Sequence, residues 1–132
     1  MIYEYKIRSC KREELIDITD LVVNAIEESN VKEGIAIIYC PHTTAGIVIN
    51  ENADYSVRED IINFLNYLVP INFNFKHLEG NSDAHIKSCL VGNEKTIIIK
   101  DNKPLLGTWQ GIFFAEFDGP RVRKVIIKIL EG

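Results

Sequence analysis

The sequence has no long apolar run. The longest stretch free of Asp, Glu, Lys and Arg, Gly34 to Asn50, is interrupted by Pro41, His42, Thr43, Thr44 and Gly46, so no membrane span of about 20 apolar residues is expected. There is no excess of basic charge either: 15 Lys and Arg against 19 Asp and Glu give a net charge of −4. General nucleic-acid binding, which needs clustered cations to displace counterions from phosphates, is therefore not expected. Cysteine is scarce. Cys10, Cys40 and Cys89 are odd in number and form no C-x-x-C pair, so reduced packing thiols are expected rather than a disulfide framework. The start, Met1-Ile2-Tyr3-Glu4-Tyr5-Lys6, lacks the basic end and apolar run of a secretory signal, and a cytoplasmic protein is the expectation. No repeat, low-complexity tract or linker interrupts the 132 residues, which are too few for a (β/α)₈ barrel and suit one domain spanning 1–132. A chain of this size buries roughly two-thirds of its unfolded surface on folding. A metal would need a functional reason.

What is present is a pattern of short strands and helices. Tyr3, Tyr5 and Ile7 alternate with charged residues, the period of a half-wet strand. Ile18, Val22, Ala25 and Ile26 then recur at helical spacing, with Asp17 or Thr19 as cap, and the segment fades at Ser29-Asn30. Ile35 to Cys40 reads as a buried strand, and Thr43 to Asn50 as another beyond Pro41-His42. Val57, Ile61, Phe64, Leu65 and Leu68 predict a second helix from about Ala53, capped by Asp54 and stopped by Pro70. Ile71 to Asp83 is polar and Asn-rich and reads as a loop, with a short helix from Ser82-Asp83-Ala84-His85 to about Gly92. Strands follow at Lys95 to Lys100, Thr108 to Phe117 and Val122 to Leu130. The fold class is α+β, an antiparallel sandwich-like core with two or three flanking helices.

The chemical signal lies in the histidines. His42, His77 and His85 fall in one third of the chain, each beside small or polar residues, and imidazole is both the commonest metal ligand and the usual proton shuttle near neutral pH. Their spacing is no zinc signature, so only the fold can bring them together. Glu51 and Glu116 are the candidate catalytic carboxylates. Glu116 shares the face of Ile112 and Phe114 under strict alternation, a costly position unless it is used or paired with Arg121, Arg123 or Lys124 across the next hairpin. Thr43, Thr44, Gly107 and Thr108 offer hydroxyls and amides for phosphate, and Arg121 could clamp an anion from the turn Asp118-Gly119-Pro120. Trp109 is expected in the core.

Five blocks in order, Pro41-His42-Thr43-Thr44-Ala45, Asn50-Glu51-Asn52-Ala53-Asp54, His77-Leu78-Glu79-Gly80-Asn81, Ala84-His85-Ile86-Lys87 and Leu106-Gly107-Thr108-Trp109-Gln110-Gly111-Ile112, resemble the YjbQ family over essentially the whole chain. The resemblance implies a β-sandwich-like homotrimer and a secondary thiamine-phosphate synthase, joining a pyrimidine-methyl diphosphate to a thiazole phosphate with release of pyrophosphate. Its family-like positions are His42, His77 and His85, with Glu51, Glu79 and Glu116 nearby. The first reading is a transferase in which the three histidines hold a divalent ion and Thr43, Thr44, Gly107, Thr108 and Arg121 contact phosphate. Imidazoles favour zinc, whereas pyrophosphate departure usually employs magnesium. Two rivals stand beside it: a zinc hydrolase with Glu51 or Glu116 as base, and a trimeric module that binds a phosphorylated metabolite without turnover. No nucleic-acid or membrane partner is expected.

Overall fold

A computed structural model describes residues 1–132. The elements in chain order are β1 (Ile2–Arg8), β2 (Glu14–Asp17), α1 (Thr19–Ser29), β3 (Glu33–Tyr39), β4 (Ala45–Glu51), α2 (Tyr55–Leu68), α3 (Ser82–Val91), β5 (Glu94–Lys100), β6 (Lys103–Pro104), β7 (Gln110–Glu116) and β8 (Val122–Glu131). They form two antiparallel sheets, ordered β1-β8-β3-β5-β6 and β2-β7-β4. The α+β class and its three helices match the sequence pattern.

Alternation explains the packing. From the larger sheet Ala36, Ile38, Ile97, Ile99, Val125, Ile127 and Ile129 point inward, and Ile47, Ile112 and Phe114 of the smaller sheet meet them in one core with Val22, Ala25 and Ile26 of α1. Strand β7 is buried on both faces: Phe113 and Ala115 turn the other way, joining Leu15, Ala84 and Phe117, with Ile61, Ile62 and Leu65 of α2 against them. That double burial is why its sequence is almost continuously apolar.

Several expectations change in the structure. Trp109 is not core; it is 62 % exposed, just before β7 begins. Cys10 and Cys89 are exposed as well, and only Cys40 packs inside. The α2 stripe is divided, because Leu65 faces the sheet while Phe64 and Leu68 face outward. Asp54 caps α2 by accepting the Ser56 N–H at 3.0 Å, whereas at α1 the Asp17 carboxylate accepts the Thr19 N–H from outside a cap that has no side-chain bond of its own.

One close approach positions the site. A Cβ on Gly46 would sit 2.6 Å from the Gly92 carbonyl oxygen, so only glycine lets the end of α3 touch β4. The Ile47 N–H then donates to that oxygen at 3.1 Å, and Ser88 Oγ donates to the Ala45 carbonyl at 2.6 Å. The other side of α3 is held by charge. Lys87, wholly buried, donates to Asp83, Glu13 and Asn66, while Arg12 grips Asp83 through two bonds of 3.0 and 3.2 Å. Burial pushes the Asp83 carboxyl up, but the bonds from Arg12 and Lys87 outweigh it and leave it below the ordinary value.

Candidate functional site

His42 lies in the link between β3 and β4, His77 in the loop before α3, and His85 in the first turn of α3, one turn before Ser88. With α3 pinned to the start of β4, all three imidazoles line one cavity of about 440 Å³. The other lining residues are Pro41, Thr43, Thr44, Glu79, Asn81, Asp118, Arg121 and Arg123, all polar or charged except the proline. A second cavity of about 490 Å³ shares His42, Thr43 and His85 and continues toward Ser88, Cys89 and Asn93. The rings of His77 and His85 meet edge to face at 5.5 Å, and His77 Nε2 lies 3.9 Å from Glu79 Oε1.

The floor is a buried ion pair. Glu116 and Arg123 point into the space between the sheets at the end where the apolar core stops, with side chains 0 % and 4 % exposed. Arg123 donates through Nε and a second nitrogen to the two carboxylate oxygens, and also to the Thr44 carbonyl and hydroxyl at 3.2 and 2.8 Å. Ser9 Oγ and the Asp118 N–H complete the carboxylate's bonds at 2.8 and 3.0 Å. Burial raises the Glu116 carboxyl, but the bonds from Arg123, Asp118 and Ser9 outweigh it, so it stays ionised below its ordinary range. A carboxylate so occupied has no free lone pair aimed at a substrate. The ion pair anticipated for Glu116 thus forms, with Arg123, and Thr44 is spent on the same network.

Arg121 differs from Arg123. Its guanidinium, 50 % exposed, donates to the Asp118 carbonyl at 2.9 Å and to the Asp118 carboxylate at 3.1 Å. Exposed pairs are worth about 0–1 kcal/mol, so an anion entering the cavity can replace Asp118. Thr43 is exposed at the same rim.

His42 is fixed by its neighbours. Its Nε2 accepts the Lys124 N–H at 2.9 Å, and its ring packs edge to face on Phe114 at 6.3 Å. Desolvation first, and the Arg123 charge second, hold its pKa below the usual histidine value. A neutral ring that accepts at Nε2 carries its proton on Nδ1, so His42 offers a donor rather than a free lone pair. That bears on a metal. The donor types suit zinc, but no three His, Cys, Asp or Glu side chains stand close enough to share one ion, and the Nε2 lone pair of His42 is taken by the Lys124 N–H. As arranged, the residues do not fit a three-imidazole centre.

The remaining sequence candidates lie elsewhere. Ala45 of β4 pairs with Glu116 of β7 at the cavity end, and Glu51 pairs with Gln110 at the opposite end. Glu51, Gly107 and Thr108 therefore stand about 20 Å away, the length of a seven-residue strand at roughly 3.4 Å per residue. There the Glu51 carboxylate accepts the Ala53 and Asp54 N–H groups, the Asn52 N–H donates to the Trp109 carbonyl at 2.9 Å, and the Gly107 N–H donates to Gln110 Oε1 at 2.8 Å. Asn81, Asp118 and Arg123 are site residues that sequence reasoning did not nominate. Arg123 carried a signal, since it is in phase with Val125, Ile127 and Ile129; Asn81, whose Oδ1 is buried without a partner, stood in the family-like block His77-Leu78-Glu79-Gly80-Asn81 but was given no role.

A two-sheet α+β domain with a predominantly polar, histidine-lined cavity at one end of its core is the class these features define. The chain belongs to the family described as UPF0047 protein YjbQ-like, whose model matches residues 3–132. It is 70 % identical over 130 residues to a UPF0047 protein of Methanocaldococcus jannaschii, covering 98 % of this chain and 94 % of the relative. The UPF0047 protein YugU of Bacillus subtilis is 46 % identical, with 98 % and 99 % covered. Among solved structures, an uncharacterised YjbQ/UPF0047-family protein of Clostridium acetobutylicum superposes with a TM-score of 0.96 at 53 % identity, over 97 % of this chain and 99 % of that one. A YbjQ-like protein of unknown function from Sulfolobus solfataricus gives 0.96 at 33 % identity, over 100 % and 97 %. No helix is long and apolar enough to cross a membrane.

Proposed function

We propose that the histidine-lined cavity binds phosphorylated heterocycles and that the chain acts as a secondary thiamine-phosphate synthase. The observation that supports this is a single, predominantly polar cavity in which three imidazoles meet a displaceable guanidinium, that of Arg121. In the proposed reaction the carbon–oxygen bond between the pyrimidine methylene and its diphosphate breaks, and the electron pair leaves on pyrophosphate. The thiazole nitrogen forms the new bond to that carbon. Arg121, the Thr43 hydroxyl and the Nδ1–H of His42 would bind the diphosphate oxygens and offset the charge that grows there as the bond breaks. The divalent ion expected from ligand type (zinc) or reaction class (magnesium) is not held by these side chains as arranged, and none of these steps runs through it. A homotrimer in the cytoplasm is the proposed setting.

A second reading has an observation in its favour. Neither carboxylate considered as a base is free in the cavity, since Glu116 is sealed by Arg123 and Glu51 lies at the other end of β4. That favours a module that binds a phosphorylated metabolite without turnover over a hydrolase. Incubating the purified protein with the two thiamine precursors separates the readings. Synthesis of thiamine phosphate that is lost in His42→Ala, His77→Ala and His85→Ala supports the synthase. Pyrophosphate binding without product supports the module, and activity that survives all three changes refutes the site. Metal analysis of untagged protein, purified without chelator, measures the ion directly.

A further inference from the structure

The histidine cavity has a neighbour that the proposed chemistry does not use. The cavity of about 440 Å³ and the second one of about 490 Å³ have His42, Thr43 and His85 in common, so they adjoin at the same imidazoles. Their linings differ in charge. Arg121, Arg123, Glu79 and Asp118 all belong to the first, where Asp118 accepts from Asn81 and Arg121 and Glu79 stands 3.9 Å from His77. The second adds only Ser88, Cys89, Gly92 and Asn93, and has no Asp, Glu, Lys or Arg.

The walls of this neutral chamber are tied down within the chain. Gly92, with a φ of 85°, makes the turn that ends α3. Its N–H donates to the Ser88 carbonyl at 2.9 Å and its carbonyl accepts the Ile47 N–H at 3.1 Å, while the Asn93 carbonyl accepts the Cys40 N–H at 2.8 Å. The backbone here is thus anchored to β4 and to the end of β3. The side chains are committed differently. Ser88 Oγ donates to the Ala45 carbonyl at 2.6 Å, so it has only lone pairs left to offer, whereas the exposed Asn93 amide brings both a donor and an acceptor. A phosphate entering this chamber meets no cation to offset the cost of leaving water. An uncharged ring loses far less, and the Ser88 lone pairs favour one that carries an N–H.

We propose that the two chambers hold the two ends of one ligand: the phosphate stays on the Arg121 side, and an uncharged, amino-bearing heterocycle, joined to it past His42 and His85, fills the chamber of Ser88, Cys89 and Asn93. Asn93 is then the specificity-determining residue, its amide pairing with the ring edge. This deepens the reading of the first chamber as a phosphate site and rests on it. For the proposed synthase it places the pyrimidine ring in the neutral chamber and the breaking carbon–oxygen bond beside the shared imidazoles.

The test uses the full chain carrying Cys10→Ser, so that iodoacetamide alkylates exposed Cys89 while Cys40 stays buried. Calorimetric titration compares pyrophosphate with an amino-substituted pyrimidine-methyl diphosphate. Alkylated Cys89 occupies the neutral chamber, so the pyrimidine compound should lose at least about tenfold in affinity while pyrophosphate changes by less than about twofold. Asn93→Ala, at an exposed position, should cost the pyrimidine compound about fivefold and leave pyrophosphate unchanged. Equal losses for the two ligands, in protein that keeps its native circular dichroism, or no loss for either, overturn the division. If neither phosphate compound binds the unmodified chain, the unphosphorylated pyrimidine alcohol decides. Binding that Cys89 alkylation abolishes supports the neutral chamber while refuting the phosphate reading, and no binding refutes both.

Discussion

Replacing Glu116 by Gln removes the negative charge that faces Arg123 at the end of the core. Both side chains are nearly inaccessible, and water cannot re-solvate the guanidinium without opening the sandwich. Breaking a buried pair by removing one partner costs about 3–5 kcal/mol, because the remaining charge is left uncompensated. For a chain of this size, total stability is on the order of 7–20 kcal/mol, so the loss is a large fraction. It corresponds to a fall in Tm of about 10–20 °C. Urea unfolding followed by circular dichroism measures it. The double variant Glu116→Leu/Arg123→Leu removes both charges and should recover at least half of the loss, although Thr44, Ser9 and the Asp118 N–H lose partners. A cost below about 1 kcal/mol for Glu116→Gln would refute the reasoning, since only a solvated pair is worth so little.

Arg121→Ala should change stability by less than about 1 kcal/mol, its pair with Asp118 being exposed, yet weaken pyrophosphate binding by about 10–100-fold in calorimetric titration, as expected for a charge-assisted bond. His42 is held neutral in the fold, so the unfolded chain binds more protons as the pH falls below its ordinary value of about 6.5. Stability should therefore drop with acidification in that window, and His42→Gln should flatten the slope of Tm against pH there. Glu116 and Asp83 have folded values below their ordinary ones; their contribution is complete above the ordinary carboxylate range and is lost as the pH falls through the depressed values, seen as an acid limb that Glu116→Gln shortens. Burial pushes the Cys40 thiol up to about 11, so iodoacetamide at pH 8 should label Cys10 and Cys89 in the native protein and Cys40 only after unfolding.

Local pattern carried most of the architecture. The alternation of Tyr3, Tyr5 and Ile7, the helical spacing from Ile18 to Ile26 and the Pro70 stop each map onto an observed element. β2 and β6 were not legible, because four residues and two residues are too few to show a period. Placement across the fold was harder. The meeting of His42, His77 and His85 depends on the Gly46–Gly92 approach, which no spacing reveals. Strict alternation turns Trp109 away from the face of Gln110 and Glu116 and so suggests core, but the strand begins only at Gln110 and leaves the indole uncovered. Glu116 was correctly singled out as a carboxylate on an apolar face, and its partner Arg123 was equally visible as a cation on another such face. That the two faces oppose each other is a property of sheet packing alone.

The claim on which the account turns is that the histidine-lined cavity receives phosphate. Titrating inorganic pyrophosphate into the protein while following the ring resonances of His42, His77 and His85 by NMR tests it most directly. Saturable shifts of all three histidine signals, weakened in Arg121→Ala, are the result expected. Unmoved histidine resonances at pyrophosphate concentrations that perturb other parts of the chain would contradict it.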